Sequence, residues 1–275
     1  MSSIIAADFS YVRPRGREEL LELMATREGA KILAGGTDLL VDLRNGTKRP
    51  RTLVDLKGVA GFRDISWDEE TGLSIGPSAT INDLLFHPVV RERFPLLVAC
   101  AADLASHQIR NRATVAGNVV NASPCADMAP GLLCSRASAV IASPDGERTV
   151  PFAEFFTGVK RTVLGPQEVL VRIQVPADAA DGRAGYRKLK RIRGHDLGIV
   201  GVAVWRKGDD VRVGVSSSAP TPLLIEGLGA LGSIADMVNE VGRSISPISD
   251  VRCTAEYRAH MVQVYARRLL QEVSR

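Results

Sequence analysis

Aromatic side chains and long apolar runs are scarce in this sequence. Phe, Trp and Tyr together make up 5% of the 275 residues, which is few for a protein that stacks successive nucleobases. No stretch reaches the roughly 18 consecutive apolar residues that a membrane-spanning helix requires. Residues 1–16 lack the basic and apolar regions of a secretory signal. We therefore expect neither a nucleic-acid-binding protein nor one inserted in a membrane.

Cysteine is also rare, and no two cysteines form a C-x-x-C pair. The four cysteines are Cys100, Cys125, Cys134 and Cys253. They are too few and too scattered for a disulfide framework or for an iron–sulfur site within this chain. The four histidines show no metal-ligand spacing either. We expect a reduced, cytoplasmic protein that holds no metal of its own.

The rest of the composition is typical of a globular protein of one to two domains. Hydrophobic residues make up 45% and charged residues 24%, which excludes a mostly disordered chain. The 35 Lys and Arg exceed the 31 Asp and Glu, giving a net charge of +4. Because the basic residues are scattered, this charge favours an anionic small molecule at least as much as nucleic acid.

The pattern of apolar residues and turns predicts an α+β chain of three consecutive units. Residues 1–56 form a compact β/α unit, residues 57–176 mix strands with apolar helices, and a linker or long turn over 176–185, rich in Ala, Asp and Gly, leads into the last unit. The last unit contains an antiparallel meander of three strands and a final helix. Strands are predicted over 52–56, 72–76, 139–142, 169–175, 186–192, 199–205 and 211–215, and helices over 18–26, 82–90, 95–106 and 254–273.

A pair of glycines follows a short apolar strand near the start of the chain. The segment 34–39 reads Ala-Gly-Gly-Thr-Asp-Leu and leads into an apolar helix start. Gly35 and Gly36 let the backbone turn sharply and bring its N–H groups close to a ligand. The start of the next helix adds unpaired N–H groups that suit a phosphate. A plain strand–turn–helix connection is the alternative.

A second candidate site is a run of thirteen small or β-branched uncharged residues over 114–126. Such a run suits a backbone that wraps closely around a large planar ligand. Neutral hydrogen-bonding groups come from Thr114, Asn118, Asn121 and Ser123, and Asp127 supplies one acceptor. A buried helix-packing segment is the alternative, although the asparagines and Pro124 fit it badly.

A third glycine pattern, G-x-G-x-x-G over 227–232, matches part of a dinucleotide-binding fingerprint. That fingerprint needs a preceding strand and a βαβ continuation. The only candidate strand, over 223–225, comes just after Pro220 and Pro222, and no second parallel strand is evident downstream. We interpret the pattern as a glycine-rich turn, with an NAD-dependent dehydrogenase as an alternative.

The first two motifs, about 75 residues apart, together resemble the paired FAD motifs of one family. It is the medium, FAD-binding subunit of molybdenum hydroxylases such as carbon monoxide dehydrogenase and xanthine dehydrogenase. Further segments that resemble the family's sequence occur over 72–80, 151–158, 186–188 and 255–258. The resemblance implies a two-subdomain FAD-binding fold of the PCMH type over 1–177, with subdomains 1–56 and 57–177. A C-terminal flavoprotein domain of the carbon monoxide dehydrogenase type follows over 178–275, a three-stranded antiparallel sheet with helices.

The resemblance also assigns cofactor-binding roles to particular residues. The pyrophosphate would be held by Leu33, Ala34, Gly35, Gly36, Thr37, Asp38 and Leu39. The second wall of the cleft would comprise Thr114, Ala116, Gly117 and Asn118, with Ile109 also binding the cofactor. The flavin end would meet Asp127, Leu170 and Lys188. None of these residues is assigned to a metal or to acid–base catalysis.

Some of these assignments have alternatives. The family usually has Gly-Gly-Asn where this chain has Ala116-Gly117-Asn118, so a requirement for positive φ at position 116 would strain the alanine and weaken FAD binding. Lys188 could belong to a solvated basic edge, Asp127 could cap a helix, and Leu170 could be plain core. His107 is interpreted as a packed or exposed side chain, because the family binds FAD noncovalently.

The resemblance implies an oxidoreductase subunit that transfers electrons. A large partner subunit would carry the molybdenum cofactor and a small one the 2Fe–2S clusters. Electrons would pass from those clusters to FAD and then to NAD+, oxygen or another acceptor, with the chain placing and tuning the flavin. The alternatives are a self-sufficient FAD oxidase, an NAD-dependent dehydrogenase that uses Gly227 to Gly232, and a scaffold subunit that lost FAD through Ala116.

Overall fold

The computed structural model describes residues 8–192 and 194–275. The first seven residues of the predicted 1–56 unit therefore lie outside the described residues, as does Arg193. Within the described ranges, none of the helices combines the length and apolarity needed to cross a bilayer.

The first unit is a three-stranded parallel sheet flanked by helices. Its elements are β1 (Ser10–Val12), α1 (Arg17–Thr26), β2 (Ala30–Leu33), α2 (Leu39–Arg44) and β3 (Thr52–Asp55). The strand order β1-β3-β2 places β3, which is buried along its whole length, in the centre. Helix α1 buries Leu20 and Met24 beneath its charged face. The parallel order brings the carboxyl ends of all three strands to one edge.

The second unit is built on a five-stranded antiparallel sheet of order β4-β5-β10-β6-β7. Its strands are β4 (Ile65–Asp68), β5 (Gly72–Ile75), β6 (Ser138–Ser143), β7 (Gly146–Pro151) and β10 (Val169–Val175), and β8 (Phe156–Gly158) pairs with β9 (Arg161–Thr162) in a separate hairpin. The helices are α3 (Ile81–Phe86), α4 (Pro88–Arg93), α5 (Pro95–Asp103), α6 (His107–Arg110), α7 (Val115–Val120), α8 (Ala129–Cys134) and α9 (Phe152–Phe155).

Two predicted helices are broken in this unit. The helix predicted over 82–90 is split between α3 and α4 at His87, because Pro88 starts a new helix and biases the preceding residue towards an extended backbone. The helix predicted over 95–106 ends at Asp103. Ser106 then caps α6 by accepting a hydrogen bond from the N–H of Ile109.

The third unit is a four-stranded antiparallel sheet covered by two helices. It contains β11 (Arg183–Leu189), β12 (Val200–Lys207), β13 (Asp210–Ser216), β14 (Leu223–Ile225), α10 (Ile234–Ser244) and α11 (Ala255–Val273). The three predicted strands are present, and β14 adds a fourth at the edge. Strand β14 coincides with the candidate strand over 223–225, which the predicted three-stranded meander did not include.

Strand β12 joins two hydrophobic cores. Val200, Val202 and Val204 pack in the core formed with α10 and α11, whereas Ala203 and Trp205 belong to the core of the second unit. This division follows from the alternation of side chains along a strand. The indole Nε1 of Trp205 also donates to the carbonyl oxygen of Ala179, 3.0 Å away. The third unit is therefore packed firmly onto the second.

Candidate functional site

The two glycine motifs are in direct backbone contact. A Cβ on Gly35 would lie 2.8 Å from the Cα of Ala113 and closer still to the carbonyl oxygen of Arg112. Any side chain at position 35 would therefore push the turn after β2 away from the segment that leads into α7. Two motifs separated by about 75 residues in the sequence thus form one site, as the resemblance implies.

The first wall of the site is the loop between β2 and α2. Gly36 has a φ of 81°, a left-handed conformation that favours glycine. The backbone N–H groups of Gly35, Gly36, Thr37 and Asp38 donate to no acceptor within the described part of the chain. Ala34 to Thr37 are half-buried and Asp38 is exposed, so this loop has unpaired donors of the kind that bind an anion.

A lysine fastens this loop from behind. Lys57 Nζ donates to the carbonyl oxygen of Ala34 at 2.9 Å and also pairs with Asp55, the last residue of β3. The carboxylate of Asp55 is nearly fully buried and accepts a further bond from Tyr11. Because both partners belong to the edge where the parallel strands end, the sheet itself holds the loop in place.

The second wall is the start of α7. The hydroxyl of Thr114 accepts a hydrogen bond from the N–H of Gly117 at 2.9 Å, which caps this helix. Thr114 also forms an isolated β-bridge with Thr80. A Cβ on Gly117 would lie 2.9 Å from Thr114 Oγ1 and 3.7 Å from the Cβ of Ala34. The glycine therefore keeps the cap intact and lets the first wall approach.

Ala116 is an ordinary helical residue. It lies within α7, is 3% exposed and does not have a positive φ. Its methyl group packs in the core with Val115 and Val119. Alanine is therefore unstrained at this position. The alternative of a scaffold subunit that lost FAD through Ala116 thereby loses its physical basis.

Asn118 positions the segment that carries Asp127. Its Oδ1 accepts a hydrogen bond from the N–H of Met128 at 3.1 Å. Because Asn118 belongs to α7 and Met128 precedes α8, this bond links the two helices. Asn118 thus connects the second wall to the segment that carries Asp127, which is predicted to lie at the flavin end.

Asp127 and Lys188 form a buried ion pair across the junction of the second and third units. Lys188 Nζ lies 2.8 Å from Asp127 Oδ1, and the two side chains are 1% and 14% exposed. Lys188 also donates to the carbonyl oxygen of Asp103 at 3.4 Å. Burial raises the pKa of Asp127, while the positive charge of Lys188 opposes that rise. A solvated basic edge is therefore the wrong interpretation of Lys188.

The helix-cap interpretation of Asp127 is also wrong. The residue at the start of α8 is Met128, and no side chain caps this helix. The Asp127 carboxylate is instead committed to Lys188. On the same face of β11 lies Tyr186, whose buried hydroxyl has no partner among the described residues. Burial and the charge of Asp127 raise the pKa of Tyr186 well above its ordinary value.

The two remaining predicted residues have structural surroundings of their own. Leu170 lies on β10 opposite Ile141, is 3% exposed and shares a core with α7, so its contact with a cofactor stays a prediction. Ile109 is half-buried, and its carbonyl oxygen accepts the N–H groups of Arg112 and Ala113. Ile109 therefore shapes the turn that meets Gly35.

Sequence reasoning missed Asn82, a buried residue at the start of α3. Its Nδ2 donates to Asn111 Oδ1 at 2.6 Å and to the carbonyl oxygen of His107 at 3.2 Å, and its Oδ1 accepts from Arg110 Nε at 3.3 Å. It thereby holds α6 beside the second wall. His107 itself is exposed, as expected. Asparagine at a helix start carries no local signal of such a role.

The third glycine pattern lacks dinucleotide-binding geometry. Strand β14, which precedes it, is antiparallel to β13, and the glycines form a short 3₁₀ turn that starts after Gly227. A Cβ on Gly229 would overlap the carbonyl oxygen of Asp209, so this glycine is needed for packing. The βαβ arrangement that the fingerprint requires is not formed by these residues.

Comparisons with known proteins agree with the paired-motif interpretation. Residues 7–178 match the family model described as the FAD binding domain in molybdopterin dehydrogenase, and residues 184–273 match the CO dehydrogenase flavoprotein C-terminal domain. The chain is 31% identical to the putative xanthine dehydrogenase FAD-binding subunit of Escherichia coli K12, over 96% of this chain and 95% of that protein. It is 33% identical to the carbon monoxide dehydrogenase medium chain of Hydrogenophaga pseudoflava, over 97% of each.

Solved structures show the same relationship. A chain of carbon monoxide dehydrogenase from Hydrogenophaga pseudoflava superposes with a TM-score of 0.91 at 32% identity, covering 98% of both chains. A chain of quinoline 2-oxidoreductase from Pseudomonas putida 86 superposes with a TM-score of 0.89 at 26% identity, covering 97% of both chains.

Proposed function

Since the chain belongs to the family of FAD-binding subunits of molybdenum hydroxylases of the carbon monoxide and xanthine dehydrogenase type, we propose that it is the electron-transfer subunit of such an enzyme. It accepts electrons from iron–sulfur clusters on a partner subunit and passes them from FAD to NAD+, oxygen or another acceptor. The observation that carries this proposal is the contact of the two glycine motifs at Gly35 and Arg112.

The residues of the first wall fit the pyrophosphate of FAD. Its loop over 33–39 presents backbone N–H groups without protein acceptors in the described part of the chain. Gly35 lets the backbone at Ala113 approach this loop, and the positive φ of Gly36 gives the loop its turn. We assign the second wall to Ile109, Thr114, Ala116, Gly117 and Asn118; of these, Gly117 lies beside Ala34 of the first wall.

The flavin end of the cofactor is assigned to Asp127, Leu170 and Lys188. Bound FAD supplies the redox chemistry, because it can exchange electrons both singly and in pairs. The protein contributes a buried carboxylate and ammonium at fixed positions, 2.8 Å apart. No side chain of this chain is given the role of an acid or base catalyst. Its residues bind the cofactor, orient it and set the charge around it.

We propose a division of the chain and of the complete enzyme. Residues 1–177 are the FAD-binding domain, with subdomains 1–56 and 57–177, and residues 178–275 are the C-terminal flavoprotein domain. Because relatives are named medium chain or medium subunit, the partners are a large subunit with the molybdenum cofactor and a small 2Fe–2S subunit. The four cysteines are all free, which suits the reducing cytoplasm.

Purification tests this function. The chain should carry a yellow chromophore that acid releases as FAD, and from its native source it should co-purify with one larger and one smaller polypeptide. A colourless protein that refuses added FAD, alone and with its partners, would overturn the proposal. Oxidation of a substrate by the isolated chain with oxygen would instead support a self-sufficient FAD oxidase.

A further inference from the structure

Three contacts from the third unit hold the four residues from Pro124 to Asp127. The N–H of Ser217, just after β13, donates to the carbonyl oxygen of Pro124 at 2.7 Å. Lys188 of β11 pairs with Asp127 at 2.8 Å. Arg252, between α10 and α11, donates from Nη1 to Cys125 Sγ at 3.5 Å. The shape of this part of the cofactor site therefore depends on residues more than 60 positions away.

Arg252 connects more segments than the other two residues do. Its Nε and Nη2 both donate to Asp250 Oδ2, at 3.0 and 2.7 Å, and its Nη1 also donates to the carbonyl oxygen of Gly198 at 3.2 Å. The hydrogen bonds from Arg252 lower the pKa of Asp250 to about 2, so this carboxylate stays charged. One planar guanidinium thus ties the Cys125 segment, the Gly198 loop and the Asp250 loop together.

The Gly198 loop passes directly over Lys188. A Cβ on Gly198 would lie 3.3 Å from Lys188 Cε and 3.5 Å from Ser217 Oγ. By holding Gly198 on one side and Cys125 on the other, Arg252 encloses the Asp127–Lys188 pair. The Arg252 side chain is itself only 18% exposed.

Strained backbone flanks the held segment. Ala122, two residues before Pro124, has a φ of 46°, and Ser217, which donates to Pro124, has a φ of 65°. Non-glycine residues keep such conformations only where the surroundings impose them. A loop that is already ordered does not have to be ordered when the ligand binds, and this preorganisation increases affinity.

We propose that Arg252 is a positioning residue of the cofactor site, which fixes the segment from Pro124 to Asp127 against the Gly198 loop in the shape that receives the cofactor. The inference rests on the proposed function for the identity of that cofactor. Arg252 acts through Cys125 and Gly198 rather than by touching the cofactor.

Amide hydrogen exchange and FAD titration of the full-length protein test the proposal. In Arg252→Gln, exchange in the FAD-free protein should increase over 121–128, 196–200 and the Asp250 loop over 248–254 and stay unchanged elsewhere, and FAD should bind about tenfold more weakly. Arg252→Lys should show the same defect, because a single ammonium cannot reach Asp250, Gly198 and Cys125 together. Arg243→Gln, which removes an exposed ion pair with Glu240 on α10, should match the wild type.

Three results would overturn the inference: unchanged local exchange and affinity in Arg252→Gln, faster exchange throughout the chain, or wild-type behaviour of Arg252→Lys. Failure of the proposed function has a different signature. The wild type itself would then refuse FAD, while exchange in the FAD-free variants would still decide whether Arg252 positions the segment.

Discussion

Gly35 lies so close to the backbone at Arg112 and Ala113 that no other residue fits there without moving one of the two motifs. This contact joins the end of a parallel sheet in the first unit to the start of α7 in the second. The proposed cofactor cleft therefore has backbone atoms in contact on both sides.

The Gly35→Ala variant should lose most of its affinity for FAD. Its Cβ would meet backbone atoms, which cannot rotate away, so the two walls must separate. We expect binding at least about a hundredfold weaker and a loss of about 1–3 kcal/mol in the free energy of unfolding. Fluorescence titration with FAD and urea denaturation measure both. Gly232→Ala is the control, since a Cβ there has no neighbour within 4 Å. Equal FAD affinity in both variants would contradict this prediction.

Removing Lys188 should leave Asp127 as a buried, uncompensated charge. We expect Lys188→Met to lose about 3–5 kcal/mol in the free energy of unfolding at neutral pH, because one partner of a buried pair is missing. The double variant Lys188→Met/Asp127→Asn should regain much of this loss. Urea denaturation of both variants and the wild type measures the difference.

The cost of Lys188→Met should depend on pH. Burial raises the pKa of folded Asp127, so the folded state binds this proton more tightly than the unfolded chain. Protonation of Asp127 therefore stabilises the folded protein fully below the unfolded pKa of about 3.9. This stabilisation is lost as pH rises through the higher pKa of the folded state. Relative to the wild type, the single variant should therefore be less impaired at acidic pH, and the double variant should lack this dependence. Urea denaturation at neutral and at acidic pH measures this difference. An equal loss of stability at the two would refute the buried ion pair of Asp127 and Lys188.

Changing Ala116 to glycine should bring no gain in FAD affinity. The residue is helical and buried, so glycine adds backbone entropy to the unfolded chain and removes a methyl group from the core. We expect a loss of about 2 kcal/mol in stability and an unchanged dissociation constant for FAD. Thermal denaturation and FAD titration check this. Tighter binding by Ala116→Gly would show that the holo form needs a left-handed residue at this position.

The Asn118→Ala variant should weaken FAD binding through Asp127. Without Asn118 Oδ1, the N–H of Met128 has no acceptor, which costs about 1–3 kcal/mol in the free energy of unfolding. The turn between α7 and α8 then becomes less ordered. Binding about tenfold weaker is expected in the FAD titration. Asn239→Ala, an exposed asparagine on α10, provides the matched comparison. If both variants bind FAD equally, Asn118 has no such role.

The sequence was sufficient to identify the paired motifs because each has a local signature. Glycine pairs, small residues and a threonine cap act within a few positions of one another, as Thr114 and Gly117 show. Three of the four strands of the third unit were likewise predictable, as short apolar runs separated by turns rich in Gly and Asp. Local chemistry therefore accounts for most of the fold and for both walls.

The remaining features depend on long-range contacts. Lys188 has four basic neighbours in the sequence over 187–193, and only the position of Asp127 distinguishes it from them. Asn82 and Arg252 act on residues about 30 and 130 positions away. No property of the neighbouring residues encodes such partners, so sequence patterns could not reveal them.

Strand β12 bears on how the bound cofactor can exchange. Because Trp205 is buried in the core of the second unit, swinging the third unit outward would expose a large indole to water. Such an opening would cost several kcal/mol. We expect the cofactor to enter and leave without a hinge motion between the second and third units.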